Sequence, residues 1–313
     1  MSEIFTIEDG KGLQIETSET NARSKAKGKS ILEVLAVFIS VRVAFIPLLL
    51  RSPLIMWELE NLGWSYIGGS VGVFAVVAIL LATRRSLRDY GFTLKGWRNG
   101  LKLGMTCYLI LMIPYGVMAA TFFFSGLTYS QPLGSAIIAA AKAFAIYLML
   151  RVRTTENPKA GFDLLILGAL LLFPLLLGAQ LGRLTTIVAS TVVWQFLVSG
   201  FGEEIIYRGY YQSRINAEYG RPWRFMGVEF GPGLIVASLL FALSHALNPF
   251  RPLEGVYTLD WGWAFTTFFG GLFFGLLRER TGSLLASGIA HGLPDAVGEA
   301  ANIIFQFGLN TRG

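Results

Sequence analysis

Residues 162–181 read FDLLILGALLLFPLLLGAQL, a run of twenty residues whose one charge, Asp163, sits in the first turn. About 20 predominantly apolar residues are what a helix needs to cross the hydrocarbon of a bilayer. A segment apolar on every side belongs in lipid or deep in protein. The period-two alternation of a membrane barrel strand is missing. Comparable runs occur at 31–50, 63–83, 100–124, 134–150, 184–206, 231–247, 262–278 and 283–307. Together they make nine candidate spans, the fourth being short and carrying Lys142. The fold expected is all-α, a polytopic helical membrane protein of about eight to nine transmembrane helices.

Composition agrees. Of 313 residues, 53% are hydrophobic and 15% charged, against roughly 25% charged in an average soluble domain. The net charge of +6 is not a nucleic-acid signal, because the basic residues cluster in short loops between apolar runs. The partner it implies is the bilayer. Loop 84–102 carries Arg84, Arg85, Arg88, Lys95, Arg98 and Lys102 against Asp89; loop 151–161 carries Arg151, Arg153 and Lys159. Loop 208–224 carries Arg208, Arg214, Arg221 and Arg224, and the turn at 278–280 carries Arg278 and Arg280. The alternate loops 125–133 and 249–261 have little positive charge. This alternation puts the amino terminus in the cytoplasm and the carboxyl terminus outside, as in a multi-pass protein of a bacterial plasma membrane.

Residues 1–30 are a polar tail, disordered or lying on the cytoplasmic surface. The run 31–50 exceeds a signal-peptide core and is followed by Arg51-Ser52-Pro53, so it is a retained span. The single cysteine, Cys107, leaves no internal disulfide and no cysteine-based metal site. Glu33 and Lys142 can snorkel from span ends, whereas Arg42 lies nearer mid-span and needs an internal partner. Gly271 and Gly275 form a small-xxx-small pair that suits close helix packing.

The chain has only two histidines, His245 and His291, both inside apolar runs. Ionisable groups in hydrocarbon are costly and mark function. Three elements gather them. The first is Gly202-Glu203-Glu204-Ile205-Ile206-Tyr207-Arg208. Glu204 and Arg208 are four residues apart and pair on one helix face, while Glu203 points about 100° away. Glu203 is therefore the candidate catalyst and Glu204 a structural partner of Arg208. The second is Phe241-Ala242-Leu243-Ser244-His245, with Phe241 and His245 on one face. The third is Thr281-Gly282-Ser283-Leu284 leading to His291-Gly292-Leu293-Pro294-Asp295. There Asp295 is placed to accept from the His291 ring and fix its tautomer.

Glu203-Glu204-xxx-Arg208, Phe241-xxx-His245 and His291-xxx-Asp295 resemble, in order and spacing, the motifs of the CPBP family. These are the CAAX-protease and bacteriocin-processing (Abi) intramembrane endopeptidases. The run Arg278-Glu279-Arg280-Thr281-Gly282-Ser283-Leu284 resembles the family too. The likeness implies a CAAX-protease-like catalytic core at 182–313 behind accessory helices at 31–181. It implies peptide-bond hydrolysis in the membrane without a covalent intermediate, on a protein or peptide substrate, lipidated or not. In eukaryotic relatives the substrate is a prenylated protein that loses its last three residues. In bacteria, members are linked to bacteriocin maturation and self-immunity.

On that resemblance Glu203 acts as general base on a water shared with His245, and His291 stabilises the oxyanion with Asp295 behind it. Glu204, Arg208 and Phe241 support them. No cofactor is expected. The alternative is zinc held by Glu203, His245 and His291, although the chain has no His-Glu-x-x-His. Ser199 and Ser244 lack a nucleophile elbow. Two further readings stay open: a non-enzymatic scaffold or immunity protein of the same fold, and a proton-coupled transporter, which the lack of paired broken helices disfavours.

The expected spans carry one conflict. Glu203 falls near the cytoplasmic end of its run, and His245 lies about 14 residues, roughly 20 Å, into the next. They can share a water only if the Glu203 helix runs deeper or the segment 208–231 dips into the bilayer.

Overall fold

The computed structural model describes residues 9–45, 49, 52–153 and 159–310. The first residues of the expected tail, the end of the first expected span and part of the 151–161 loop lie outside these. Ten longer helices, a 3-10 turn at Pro252–Glu254 and one hairpin are the regular elements of the described chain, which is mostly helical as expected.

Helix α1 (Asp9–Ile39) continues as a π-helical turn, Ser40–Phe45. Residues 9–30, part of the expected polar tail, form the first turns of this helix. Helices α2 (Pro53–Leu62) and α3 (Tyr66–Ala82) follow, then α4 (Trp97–Ser125), α5 (Pro132–Arg151) and α6 (Gly161–Gln180). By length and apolarity α4, α5 and α6 can each cross a membrane, and α2–α3, bent by 119°, makes a fourth candidate. Among the described residues, no other expected span is a long apolar helix of that kind. Helix α8 (Pro232–Ala246) has 15 residues, and the helices around it bury polar and ionisable side chains against one another.

Helix α7 removes the depth conflict. It runs without a break over 186–219, through Thr186–Val193, the π-helical Trp194–Phe201, Gly202–Glu204, the π-helical Ile205–Gln212 and Ser213–Tyr219. Thr185 caps its start by accepting from Val188 N across 3.2 Å, and Gly220, at φ 73°, ends it. Wide π-helical turns are uncommon and recur at functional sites; here they flank Glu203 and Glu204 on both sides. The chain then turns through a small antiparallel hairpin, β1 (Trp223–Phe225) with β2 (Val228–Phe230). Met226 and Gly227 take the positive φ values, 46° and 88°, of a tight two-residue turn. No dip of the 208–231 segment is needed. Glu203 lies about 16 residues before the end of α7, and His245 about 13 residues after the start of α8. At 1.5 Å per residue that is roughly 24 Å against 20 Å from the same connection, and the wide turns shorten the former.

The two helices pack antiparallel in that register. Asn216 Oδ1 accepts from Gly233 N across 2.8 Å, and the Tyr207 and Phe241 rings meet at 5.1 Å. Helix α9 (Trp261–Thr281) starts on Asp260, which accepts from Trp263 N across 2.9 Å, and ends at Gly282 with φ 68°. Its Gly271 and Gly275 lie against α8: a Cβ on Gly271 would sit 2.9 Å from the Ser238 Cα. Helix α10 (Leu285–Asn310) packs on α7 and α4. A Cβ on Gly292 would lie 2.6 Å from the Phe196 carbonyl oxygen and 3.2 Å from Gly200 Cα. Backbone thus meets backbone where α10 crosses α7, one residue from His291.

One apolar cluster joins α4, α5, α9 and α10 through Leu103, Met149, Phe273 and Ala290. A second joins α1, α3, α7 and α8 through Phe38, Leu80, Tyr211 and Phe241. Glu33 does not snorkel. It takes Arg85, the Arg214 Nε at 3.0 Å and the Tyr210 hydroxyl at 2.5 Å, tying α1 to α7. The Glu33 carboxylate holds the Arg85 guanidinium above its usual range.

Candidate active site

Helices α7, α9 and α10 converge on one imidazole. His291 on α10 stacks on Phe274 of α9, with ring centres 4.5 Å apart and planes at 14°. Its Nδ1 donates to Glu204 Oε1 across 3.0 Å. Its Nε2 lies 3.7 Å from Glu203 Oε2 and 3.7 Å from Asp295 Oδ2. Neighbouring carboxylates that diverge on the helix therefore end on opposite nitrogens of one ring. The close crossing at Gly292 and Gly200 makes this reach possible.

Glu204 and Arg208 form the expected i,i+4 pair, 3.1 Å apart and both buried. Arg208 Nη2 also donates to the Gly271 carbonyl across 3.3 Å, and its guanidinium lies 4.4 Å from the Phe241 ring centre. Glu204 thus does more than neutralise an arginine, because its carboxylate also orients the His291 imidazole. The four-residue spacing assigns that orienting task to Asp295. Asp295 faces the other nitrogen, beyond direct hydrogen-bond distance, because the ring turns its Nδ1 edge toward α7. Asp295 is itself held by Tyr115 of α4, whose hydroxyl donates to Oδ1 across 3.0 Å.

His245 sits at the carboxyl end of α8. Its Nδ1 donates to the Phe241 carbonyl, four residues back, across 2.8 Å. In the neutral ring that bond leaves the lone pair on Nε2. Phe241 and Trp263 meet the ring at 4.5 and 5.2 Å between centres. Glu203 and His245 make no direct hydrogen bond among the described residues. They, His291 and Asp295 all line a single cavity of about 580 Å³, together with Arg42, Trp194, Gln195, Ser199, Tyr207 and Glu299. That volume falls in the range of ligand clefts, roughly 300–1,000 Å³. Glu203 Oε2 is buried without a hydrogen-bond partner. The cavity therefore offers a carboxylate and an imidazole nitrogen with spare acceptor capacity, next to a second imidazole fixed by an ion pair.

The described residues include no group of three or more His, Cys, Asp or Glu side chains arranged to hold a metal ion. Glu203, His245 and His291, the alternative zinc set, all line the cavity, and the hydrogen bonds made by both Nδ1 atoms leave the Nε2 atoms as the ring donors a metal could take.

Residues 185–297 match the family model described as type II CAAX prenyl endopeptidase, Rce1-like. The segment is similar to that family, and all three motifs fall inside it. No curated protein and no solved structure matches the chain. The matched segment contains α7, α8, α9 and the first half of α10. Tyr115 and Arg42 come from outside it; Arg42 stands out in the sequence as a charge near mid-span, whereas no local spacing singles out Tyr115.

Proposed function

We propose that the chain is an intramembrane endopeptidase that hydrolyses a peptide bond with a water activated by Glu203 and His245. The observation that carries this is the common cavity of Glu203, His245, His291 and Asp295 within the matched segment. Glu203 takes a proton from the water as its oxygen attacks the carbonyl carbon. His245 holds the same water through Nε2. The carbonyl oxygen becomes an oxyanion, to which His291 donates from Nε2 in its imidazolium form, while Glu204 and Arg208 keep the ring in place. When the C–N bond breaks, Glu203 returns the proton to the leaving amine. This reading is metal-free; zinc held by Glu203 and the Nε2 atoms of His245 and His291 is the alternative mechanism.

The substrate in this reading is a membrane-associated protein or peptide, with CAAX-type removal of C-terminal residues as the specific form. An amino terminus in the cytoplasm of a bacterial cell is the orientation that goes with it. A Glu203→Gln variant expressed in the host retains substrate. Mass spectrometry of its membrane fraction then finds one or a few proteins in a longer form than in the wild type. Identical membrane proteomes from the two strains count against the reading.

A further inference from the structure

Among its described lining residues the wall of the catalytic cavity carries one arginine or lysine, Arg42. It comes from the π-helical turn at the end of α1, far from the 185–297 segment in sequence. Its Nη2 donates to the Ser244 carbonyl across 2.8 Å and also to Asn248 Oδ1. These acceptors bracket His245 in the chain, so the guanidinium is pinned to the end of α8 beside the water-activating imidazole. Neither acceptor is charged. Arg85, Arg208, Arg214 and Arg221 each face a carboxylate at ion-pair distance. Arg42 forms no such pair among the described residues, and its Nε has no hydrogen-bond partner.

The acidic residues on the wall are Glu203, Asp295 and Glu299. A second anion entering this space loses hydration and meets like charge, unless a fixed cation receives it. A guanidinium anchored through one nitrogen, with the rest of its fork uncommitted, is suited to a carboxylate. A cut three residues from a chain end leaves the terminal carboxylate within roughly 10 Å of the scissile bond in an extended peptide.

We propose that Arg42 is a specificity residue that binds the free C-terminal carboxylate of the substrate, so that the cut is counted from the chain end. This rests on the peptidase reading above. Arg42 is a positioning group for the substrate and takes no part in the proton transfers.

The test uses the purified full chain in liposomes and a peptide ending in Cys-Val-Ile-Met, both S-farnesylated and unmodified. Each form is supplied as free acid and as C-terminal amide. Wild type is expected to cleave the free acid about ten- to a hundredfold more efficiently than the amide, the range for one charge-assisted hydrogen bond, mainly through KM. Arg42→Gln is expected to bring the ratio within about twofold, and Arg42→Lys to restore most of it. Equal cleavage of acid and amide by wild type overturns the proposal and leaves the peptidase reading intact. So does an Arg42→Gln variant that slows both peptides by one factor, which marks Arg42 as a structural clasp. Cleavage of none of the four peptides by wild type counts against the peptidase reading itself, and the carboxylate proposal falls with it.

Discussion

His291 and Glu204 are joined by a 3.0 Å hydrogen bond from ring Nδ1 to carboxylate Oε1, and the same oxygen lies 3.1 Å from Arg208 Nη1. The adjacent Glu203 approaches the opposite ring nitrogen and faces the cavity. Neighbouring residues of identical chemistry thus hold different positions, one locked in a buried ion pair and one open to a water.

That asymmetry separates the effects of two similar substitutions. Glu204→Gln removes the counter-charge of a buried arginine, and breaking such a pair costs about 3–5 kcal/mol. Thermal unfolding in detergent is expected to show a large loss for Glu204→Gln and little change for Glu203→Gln. Equal stability of the two variants contradicts the division of roles.

The crossing of α7 and α10 depends on the missing side chain of Gly292. Gly292→Ala forces a methyl group against the Phe196 carbonyl, and overpacking of this kind costs about 1–3 kcal/mol. It also moves His291 away from both glutamates, so activity is expected to fall by far more than stability. Gly298→Ala on the same helix meets nothing within 4 Å and serves as the control. Peptidase assays of both variants, at matched folded fractions, check this.

Tyr115 steers Asp295 through a single hydrogen bond. Tyr115→Phe keeps the ring and deletes that bond, which is worth about 0.5–1.5 kcal/mol. A loss of several-fold in kcat with KM unchanged is expected. A change confined to KM places Tyr115 in substrate binding instead.

Much of the site was legible because its chemistry is written in short spacings. Glu204 with Arg208 and Phe241 with His245 are four-residue relations on one helix, and both form as the spacing requires. His291 with Asp295 has the same spacing, yet the ring turned to Glu204, since a buried carboxylate across the helix crossing outcompeted the one on its own helix. The depth of Glu203 was misjudged for a related reason. Polar residues such as Arg208, Gln212 and Asn216 look like a cytoplasmic loop, but each is buried on α7 with a partner on α8 or α9. The helix therefore continues where hydropathy stops. Tyr115 and Arg42 reach the site from elements distant in the chain, and such contacts leave no periodic trace.

The most direct test of the central claim is the rate of peptide hydrolysis by purified wild type, Glu203→Gln and His245→Ala, each with and without a strong chelator. The account predicts that wild type keeps its activity in chelator. It also predicts that each substitution lowers kcat by at least about a hundredfold, as loss of a general base or its partner does, while the unfolding temperature stays near that of wild type. Undiminished hydrolysis by either variant contradicts the account, as does loss of wild-type activity in chelator that added zinc restores.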